Sequence, residues 1–527
     1  MFSKFTGLNL LLVLLILAEL FFSIYAQSNL LINRDVAVHL DVAGKILDDN
    51  VLYKDILIVN LPFLYYLKVI PQLVARNTGI DLITVNHINN YLFVFISLYL
   101  CARLLKHNPL AKDGLFFFCT IFACSYIFLL LPLYNVNEFG QKEHLIVLFI
   151  FPYILFTLLR LEGANAPRTE RLLCAFLAAL ACCIKPHYAL CVIYSEAILM
   201  LRHRTLRSLF SDTNAVIFIT GCVYLLWILF GTPYWQTMGP LLTIYANFTN
   251  SAAKNLILPT FGYMLLTGIP TFIYLLPRPA KRRTPGRAGL QYILGLGLIS
   301  IFIINIQFKG WGYHYIPLRS LMLLLAGITL PLVYRHKSFL MIWVTLFFTS
   351  IQLLFLSASI QYNKQHDTQR LFQSSDGLET MIRRYAKDNH TYMLSKDVNL
   401  LPLVIHNHLV WRNSFYHMWP IVGLYNLENQ GITVPNLPEL KIFITQKVVE
   451  DLEKLNPSLI FIGTNEAEGE LIYDIDYINF FSDNPDFLHI FSQYQKIDRI
   501  CPVEKNICVY DVYIRNDTLP TKATLPH

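Results

Sequence analysis

Residues 8–39 read LNLLLVLLILAELFFSIYAQSNLLINRDVAVH, and this stretch decides the class of protein. Its first part, 8–26, is almost wholly apolar and long enough to cross a hydrocarbon core about 30 Å thick. A polar segment containing Asn33, Arg34 and Asp35 follows within a few residues. The carboxylate of Asp35 is therefore expected at a membrane–water boundary, where it could serve as a general base in a cavity open to lipid and water.

The rest of the chain repeats the alternation of long apolar runs and short polar loops. Of its 527 residues, 55% are apolar and 15% are charged, whereas soluble domains have about 25% charged residues. We predict a polytopic α-helical membrane protein with about 11 transmembrane helices, at residues 8–26, 90–106, 114–133, 144–160, 172–184, 187–201, 214–231, 256–277, 289–307, 316–333 and 338–357.

Positive charge is dispersed over every second loop, from Lys4 near the first run to Arg335 and Lys337 near the last. The positive-inside rule places these loops and the N-terminus in the cytoplasm. The remaining loops, including 27–89 and 134–143, are then outside, and an odd number of spans puts the C-terminal tail outside as well. A nucleic-acid-binding protein would concentrate its basic residues on one soluble face, so no nucleic-acid partner is expected.

The tail changes in composition. Residues 361–527 contain 15 Lys and Arg against 21 Asp and Glu. Short apolar runs at 392–394, 442–444, 459–463 and 507–515 predict strands, and they alternate with helix-like stretches at 377–388 and 447–456. We therefore divide the chain into a transmembrane domain, 1–357, with the external loop 27–89, and an extracytoplasmic α/β domain, 358–527.

The ten cysteines follow the same division. Eight lie in or beside apolar segments, where Cys behaves as a small hydrophobe. Cys501 and Cys508 are the only cysteines of the tail, which predicts a disulfide in an oxidising compartment.

The first external loop contains the acidic residues Asp35 and Asp41 and is predicted to form membrane-surface helices near 36–48 and 62–75. Asp35 precedes the run Val36–Leu47, so its simplest role is that of a helix N-cap. A catalytic carboxylate at the same position is compatible with that role. The residues alone leave both interpretations open.

The second external loop reads NEFGQKEH at 137–144 and is squeezed between two apolar runs. Glu138, Glu143 and His144 are candidates to bind a divalent cation such as Mg or Mn, or to orient a substrate hydroxyl. An ordinary solvated turn is the alternative. Whether a metal is bound cannot be read from these residues.

Two further motifs carry cations at the predicted external face. Lys185 interrupts two short apolar runs, where it either snorkels to the interface or binds a lipid phosphate. The segment KGWGYHYIPLR, 309–319, is either an aromatic belt with an anchoring lysine or a phosphate site. In the second case its candidate ligands would stabilise the negative charge of a departing phosphate; they are Lys309, Tyr313, His314 and Arg319.

In the order of these parts, the chain resembles the GT-C superfamily of polytopic glycosyltransferases, especially bacterial members that use polyprenyl-phosphate sugars. The resemblance covers roughly residues 8–360. The motifs that carry it are the early external Asp35, Tyr53-Lys54-Asp55, Asn60-Leu61-Pro62, the acidic loop with Glu138 and Glu143, Lys185-Pro186, and Lys309 to His314. Many such enzymes have an acidic pair in the first loop, whereas Val36 follows Asp35 here, so Asp41 or Glu143 is the candidate second carboxylate.

The resemblance implies an inverting transfer of a sugar from a polyprenyl-phosphate carrier to an acceptor outside the cytoplasm, with Asp35 as the general base. It also implies a bacterial inner-membrane location and a cell-envelope glycan, lipid or protein as acceptor. The alternative function is a transporter or flippase, for which inverted repeats and paired broken helices are expected. The break at Lys185-Pro186 is the one such feature in the sequence.

Overall fold

The computed structural model describes residues 6–112, 114–133, 137–248, 257–276, 286–307, 309, 311–335, 382, 385, 390–395, 401–406, 408, 410–411, 413–433, 436–464, 475–500 and 510–518. The predicted span at 338–357 and the predicted Cys501–Cys508 disulfide lie outside these residues, as does most of the predicted helix at 377–388.

Long helices dominate the first two thirds of the chain, and short helices and strands follow. The helices are α1 (Thr6–Asn29), α2 (Arg34–Leu47), α3 (Phe63–Thr78), α4 (Leu82–His107), α5 (Gly114–Leu129), α6 (Lys142–Leu161), α7 (Arg168–Ile184), α8 (Ala189–His203), α9 (Asp212–Gly231), α10 (Tyr234–Met238), α11 (Leu242–Ala246), α12 (Ile257–Leu275), α13 (Arg287–Ile306), α14 (Ile316–Arg335), α15 (Leu401–His406), α16 (Trp419–Asn429), α17 (Leu437–Leu455), α18 (Tyr477–Phe481) and α19 (Pro485–Phe491). The strands are β1 (His390–Leu394), β2 (Val410–Trp411), β3 (Leu459–Gly463), β4 (Tyr494–Ile500) and β5 (Tyr510–Arg515).

The chain forms two compact units, each assembled from separate stretches. The helical unit comprises 1–31, 78–226 and 253–363, and the mixed unit comprises 32–77, 227–252 and 364–527. Most of the first external loop therefore belongs to the same unit as the C-terminal tail.

The helical unit contains the helices that suit a membrane. Seven helices in the described part of the chain are long and apolar enough to span one: Gly7–Asn29, Leu82–His107, Gly114–Leu133, Lys142–Leu161, Asp212–Gly231, Arg287–Ile306 and Gly312–Tyr334. The predicted spans at 172–184 and 187–201 form α7 and α8, with 17 and 15 residues, short of the roughly 20 that a span needs. The protein is a polytopic membrane protein, and the total of eleven spans stays a prediction.

One end of the helical unit is held by arginine–carboxylate pairs. Arg103 at the end of α4 lies 2.7 Å from Glu170 at the start of α7. Arg160 at the end of α6 lies 2.6 Å from Glu196 of α8. This is the end that carries the basic loops assigned to the cytoplasm, so the acids there act as counter-charges.

In the mixed unit, α2 and α3 pack against each other. Gln72 Nε2 donates to the carbonyl oxygen of Leu40 at 2.8 Å, and Arg76 Nη2 donates to that of Gly44 at 3.0 Å. The opposite face of α3 exposes an apolar stripe of Tyr66, Ile70, Leu73 and Val74. Such a stripe is typical of amphipathic helices that lie on a membrane surface, and this location of α3 stays a prediction.

A five-stranded sheet in the order β2-β1-β3-β5-β4 forms the core of the tail. β1 pairs parallel to β2 and β3, and β5 pairs antiparallel to β3 and β4. The α/β prediction is right for 392–394, 459–463 and 507–515, which contain strands. It is wrong for 442–444, which lies inside α17, because α17 has buried residues at helical spacing, whereas a three-residue apolar run suits either type of element.

A glycine contact between two short helices of the mixed unit leads to a stability prediction. A Cβ built on Gly423 of α16 would lie against the carbonyl oxygen of Ile244 in α11 and 2.7 Å from its Cγ2. The backbone of α11 can shift only at a cost in free energy. Gly423→Ala is therefore expected to destabilise the mixed unit by about 1–3 kcal/mol. Thermal unfolding in detergent would measure this as a lower midpoint.

The matched control is Gly221→Ala in α9, where a Cβ would meet no atom within 4 Å. Its midpoint is expected to stay the same or rise slightly, since Ala favours a helix over Gly. Equal midpoints for Gly423→Ala and wild type would contradict the close α11–α16 packing.

Candidate functional site

Glu143 lies at the centre of a buried polar group in the helical unit. It is the second residue of α6, and the side chain of Gln141 caps that helix by accepting the backbone N–H of Glu143 at 2.8 Å. Glu143 is fully buried. A carboxylate at this depth needs a charged partner.

The partner is Lys185, the residue at which α7 ends. Its Nζ forms a salt bridge with Glu143 Oε1 and also donates to Gln307 Oε1, at the end of α13, at 2.7 Å. His314 Nε2, just before α14, lies 3.8 Å from Glu143 Oε1. We call these four residues the Glu143 cluster. It joins the starts of two long helices to the ends of two others, at the end of the unit opposite the arginine pairs.

Further cations and aromatic rings surround the Glu143 cluster. Lys142 Nζ lies 5.2 Å and Lys185 Nζ 5.9 Å from the centre of the Tyr313 ring. The Tyr313 ring in turn meets His314 edge to face at 4.6 Å. These are cation–π distances. Lys142 was missed in the sequence analysis, although it directly precedes Glu143 in the same polar loop.

The remaining predicted phosphate ligands follow in the same segment. Lys309 Nζ lies 6.0 Å from the Trp311 ring, which packs against His314 at 5.5 Å. Burial lowers the pKa of Lys309 to about 8. Arg319 packs over the Tyr315 ring at 5.6 Å. The structure therefore brings Lys185, Tyr313 and His314 into one group, with Lys309 next to it through Trp311.

Two buried polar atoms of the Glu143 cluster have no hydrogen-bond partner among the described residues. They are Glu143 Oε2 and His314 Nδ1, on side chains that are 0% and 2% exposed. An unsatisfied buried polar atom costs about 1–3 kcal/mol. Lys185 pairs with Glu143, and Lys142 lies beside Glu143 in the chain. His314 Nδ1 can donate a hydrogen bond when it carries the ring proton, so the group offers two cations and one donor to an anionic ligand.

The other residues of the acidic loop serve the local fold. His144 Nδ1 accepts the Gly140 N–H at 3.0 Å, and its Nε2 lies 2.9 Å from the Phe128 carbonyl oxygen. Glu138 is buried. Glu143 and His144 were suggested as ligands of a divalent cation. Glu143 Oε1 and both ring nitrogens of His144 instead contact protein atoms. In the described part of the chain, no group of three His, Cys, Asp or Glu side chains is arranged to hold a metal.

Asp35 lies in the first turn of α2 in the mixed unit and is partly exposed. The N-cap interpretation of Asp35 is wrong: Asn33 caps α2, and its Oδ1 accepts the backbone N–H of Asp35 at 2.8 Å. The Asp35 carboxylate is therefore not needed as the cap. Burial raises the pKa of Tyr65, and the negative charge of Asp35 raises it further, so Asp35 and Tyr65 interact electrostatically.

Near Tyr65 on the same helix, Lys68 is fully buried, and burial lowers its pKa to about 7. The sequence does not indicate this burial, because a single lysine in an amphipathic helix usually faces solvent.

Asp41, the alternative second carboxylate, forms a salt bridge and a hydrogen bond within the mixed unit. It lies 3.2 Å from Lys45 Nζ, and Tyr416 donates its hydroxyl to Asp41 Oδ2. Lys45 also packs over the Tyr416 ring at 4.4 Å. These contacts give Asp41 a holding role between α2 and the C-terminal part of the chain.

The similarity of the chain to known proteins lies among solved structures. No family model matches the chain, and no curated protein matches it. Among solved structures, the chain is similar to the apo crystal structure of ArnT from Cupriavidus metallidurans, with 11% sequence identity and a TM-score of 0.44, over 99% of this chain and 100% of that one. The function proposed for this protein does not rest on that likeness.

Proposed function

We propose that this protein is a membrane glycosyltransferase that moves a sugar from a polyprenyl-phosphate carrier to an extracytoplasmic acceptor. The observation that carries the proposal is the Glu143 cluster, in which Lys185 pairs with a buried carboxylate at the ends of apolar helices, with Lys142 and an unsatisfied ring nitrogen of His314 nearby. The order of motifs that resembles the GT-C superfamily supports the same class of reaction.

The charge of the cluster suits a departing phosphate. As the bond between the anomeric carbon and the phosphate oxygen breaks, negative charge accumulates on the phosphate. Lys185 and Lys142 would interact more strongly with the phosphate in the transition state than with the phosphate of the bound donor. This difference lowers the activation barrier. His314 Nδ1 offers a further polar contact, and Glu143 holds Lys185 in place while keeping the resting site from carrying an excess of positive charge.

In this proposal Asp35 is the general base. It takes the proton of an acceptor hydroxyl, whose oxygen attacks the anomeric carbon from the face opposite the phosphate, so the configuration inverts. The position of Asp35 in the first turn of α2, partly exposed and with only its backbone N–H used by the cap, supports this role. General-base catalysis contributes roughly 10²–10⁴-fold. No step of the mechanism passes through a metal.

The proposed setting is the bacterial inner membrane, with the N-terminus in the cytoplasm and the C-terminal domain in the periplasm. The distribution of basic loops supports this orientation. The donor is a polyprenyl-phosphate sugar, and the acceptor is a cell-envelope glycan, lipid or protein.

The proposal is tested by incubating the purified protein in detergent with a panel of radiolabelled polyprenyl-phosphate sugars and a membrane extract as acceptor. Transfer of label from one donor to the extract is the expected result. Failure of every donor with folded protein, across extracts of several envelope types, would contradict the proposal.

The half-buried Lys309 leads to a prediction about pH. Because burial lowers its pKa to about 8, Lys309 is charged below that pH and becomes neutral above it. Binding of polyprenyl phosphate is therefore expected to weaken as the pH rises from 7 to 9, with a midpoint near 8. Titration of a fluorescent polyprenyl phosphate at several pH values would measure this.

Lys309→Arg is the matched variant for that titration, since arginine keeps its charge over this range. It is expected to bind equally at pH 7 and pH 9. A wild-type affinity that does not change over the same range would contradict a phosphate contact by Lys309.

A further inference from the structure

Asp451 is a half-buried carboxylate of α17 that the proposed mechanism does not use. Its Oδ2 accepts the backbone N–H of Ser414 at 2.6 Å and the Tyr392 hydroxyl of β1 at 3.2 Å, and its Oδ1 accepts the Ser414 hydroxyl at 2.6 Å. Three hydrogen bonds from two separate segments converge on one side chain. Charge-assisted bonds of this kind are roughly twice as strong as neutral ones.

The segment 413–416, which Asp451 holds, contacts the first part of the mixed unit at several points. The Ser414 carbonyl oxygen accepts the backbone N–H of Leu57 at 2.8 Å, and the Asn413 carbonyl oxygen accepts Lys45 Nζ at 3.3 Å. Tyr416 donates its hydroxyl to Asp41. Asp41 and Lys45 both belong to α2, the helix that begins with Asp35 in its first turn.

We propose that Asp451 is a positioning residue that fixes α2, and with it the carboxylate of Asp35, through the segment 413–416. This inference rests on the proposed function for its effect on transfer, although its effect on α2 does not. The C-terminal domain thereby sets the geometry of the proposed base from a site more than 400 residues along the chain. Misplacement of a catalytic group by about 1 Å can cost 10²-fold in rate.

The protonation of Asp451 makes this support sensitive to pH. Burial raises the pKa of Asp451 to about 6, while the bonds from Ser414, the charge of Lys45 and the bond from Tyr392 oppose that rise. Asp41, Tyr416 and Tyr65 are further titratable groups near the contact of the segment 413–416 with α2. A carboxylate accepts all three bonds, whereas a protonated acid carries a hydrogen in the way of one donor. The three bonds to Asp451 are therefore complete above pH 6, and one of them is weakened as the pH falls through it. Because burial raises the pKa of Asp451 above its ordinary value, this protonation does not lower the free energy of unfolding of the unit.

Hydrogen–deuterium exchange tests the support directly and needs no substrate. The variants are Asp451→Asn, which keeps the shape but has one acceptor oxygen, and Asp451→Ala, which has none. Backbone amides of α2 are expected to exchange at least roughly tenfold faster in Asp451→Ala than in wild type, with a smaller increase in Asp451→Asn. The control is Glu450→Gln, whose side chain is 60% exposed. Unchanged exchange of α2 in both Asp451 variants would overturn the proposal.

Transfer kinetics test the consequence for Asp35. In Asp451→Asn, kcat is expected to fall roughly 10- to 100-fold while KM for the donor stays the same. The wild-type profile of kcat against pH should contain a fall with a midpoint near 6 that the variant lacks. A variant with the wild-type profile would overturn the positioning role. Absence of transfer by wild type would count against the proposed function alone, since the exchange experiment still decides the role of Asp451.

Discussion

Replacing Asp35 by Asn is expected to lower the rate of sugar transfer roughly 10²–10⁴-fold, the usual contribution of a general base. The amide keeps the size of the side chain but cannot take a proton from an acceptor hydroxyl. KM for the donor should change little, because the donor phosphate is assigned to the Glu143 cluster. The measurement is steady-state transfer of a radiolabelled sugar, with kcat and KM determined separately.

Asp35→Asn is expected to leave the fold of α2 intact. Asn33 caps α2 through the backbone N–H of residue 35, and this bond survives the change. The lost carboxylate at the helix N-terminus costs only about 0.3–1 kcal/mol. Asp48→Asn, at the exposed C-terminal end of α2, is the matched control and should transfer at the wild-type rate. Equal transfer by Asp35→Asn and wild type would move the base to another acid, with Glu143 or Asp41 as candidates.

Replacing Lys185 by Met is expected to have the largest effect on stability. The change leaves Glu143 buried without its charged partner, and breaking a buried pair in this way costs about 3–5 kcal/mol. The unfolding midpoint in detergent should therefore drop markedly. Binding of polyprenyl phosphate should be lost as well, because the variant removes one cation and leaves a carboxylate facing the ligand.

A double variant separates these two effects. Lys185→Met combined with Glu143→Leu removes both buried charges and is expected to restore much of the stability but not the binding. Lys106→Met, an exposed lysine in the last turn of α4, controls for the loss of one positive charge. If the double variant binds polyprenyl phosphate as wild type does, the Glu143 cluster is not the phosphate site.

Much of the fold was readable from the sequence because membrane helices have a strong local signal. The apolar runs predicted α1, α4, α5 and α6 within a few residues at most boundaries. The same signal fails for shorter elements. α7 and α8, with 17 and 15 residues, are shorter than the usual span of about 20, so the sequence signal alone does not decide whether they cross the membrane. The apolar run 442–444 was predicted as a strand but lies inside α17.

The sequence indicated which residue types belong to the candidate site, but it did not indicate which of them lie together in space. Lys185 and His314 were predicted as phosphate ligands, a role that stays a prediction, whereas Glu143 was placed in a separate acidic site. The salt bridge between Glu143 and Lys185 links residues 42 apart in the chain, and no periodicity in the sequence reports such a distance. The same holds for the bond between Tyr416 and Asp41, which spans 375 positions and assigns Asp41 to holding α2.

The most direct test of the central claim uses a donor labelled with ¹⁴C in the sugar and ³²P in the phosphate, added to proteoliposomes that contain an acceptor extract. A transferase breaks the bond between the two labels. We expect ¹⁴C in the acceptor fraction and ³²P retained as polyprenyl phosphate, with both effects absent in Asp35→Asn. Movement of both labels together across the membrane, with the donor intact, would contradict the account and establish a transporter.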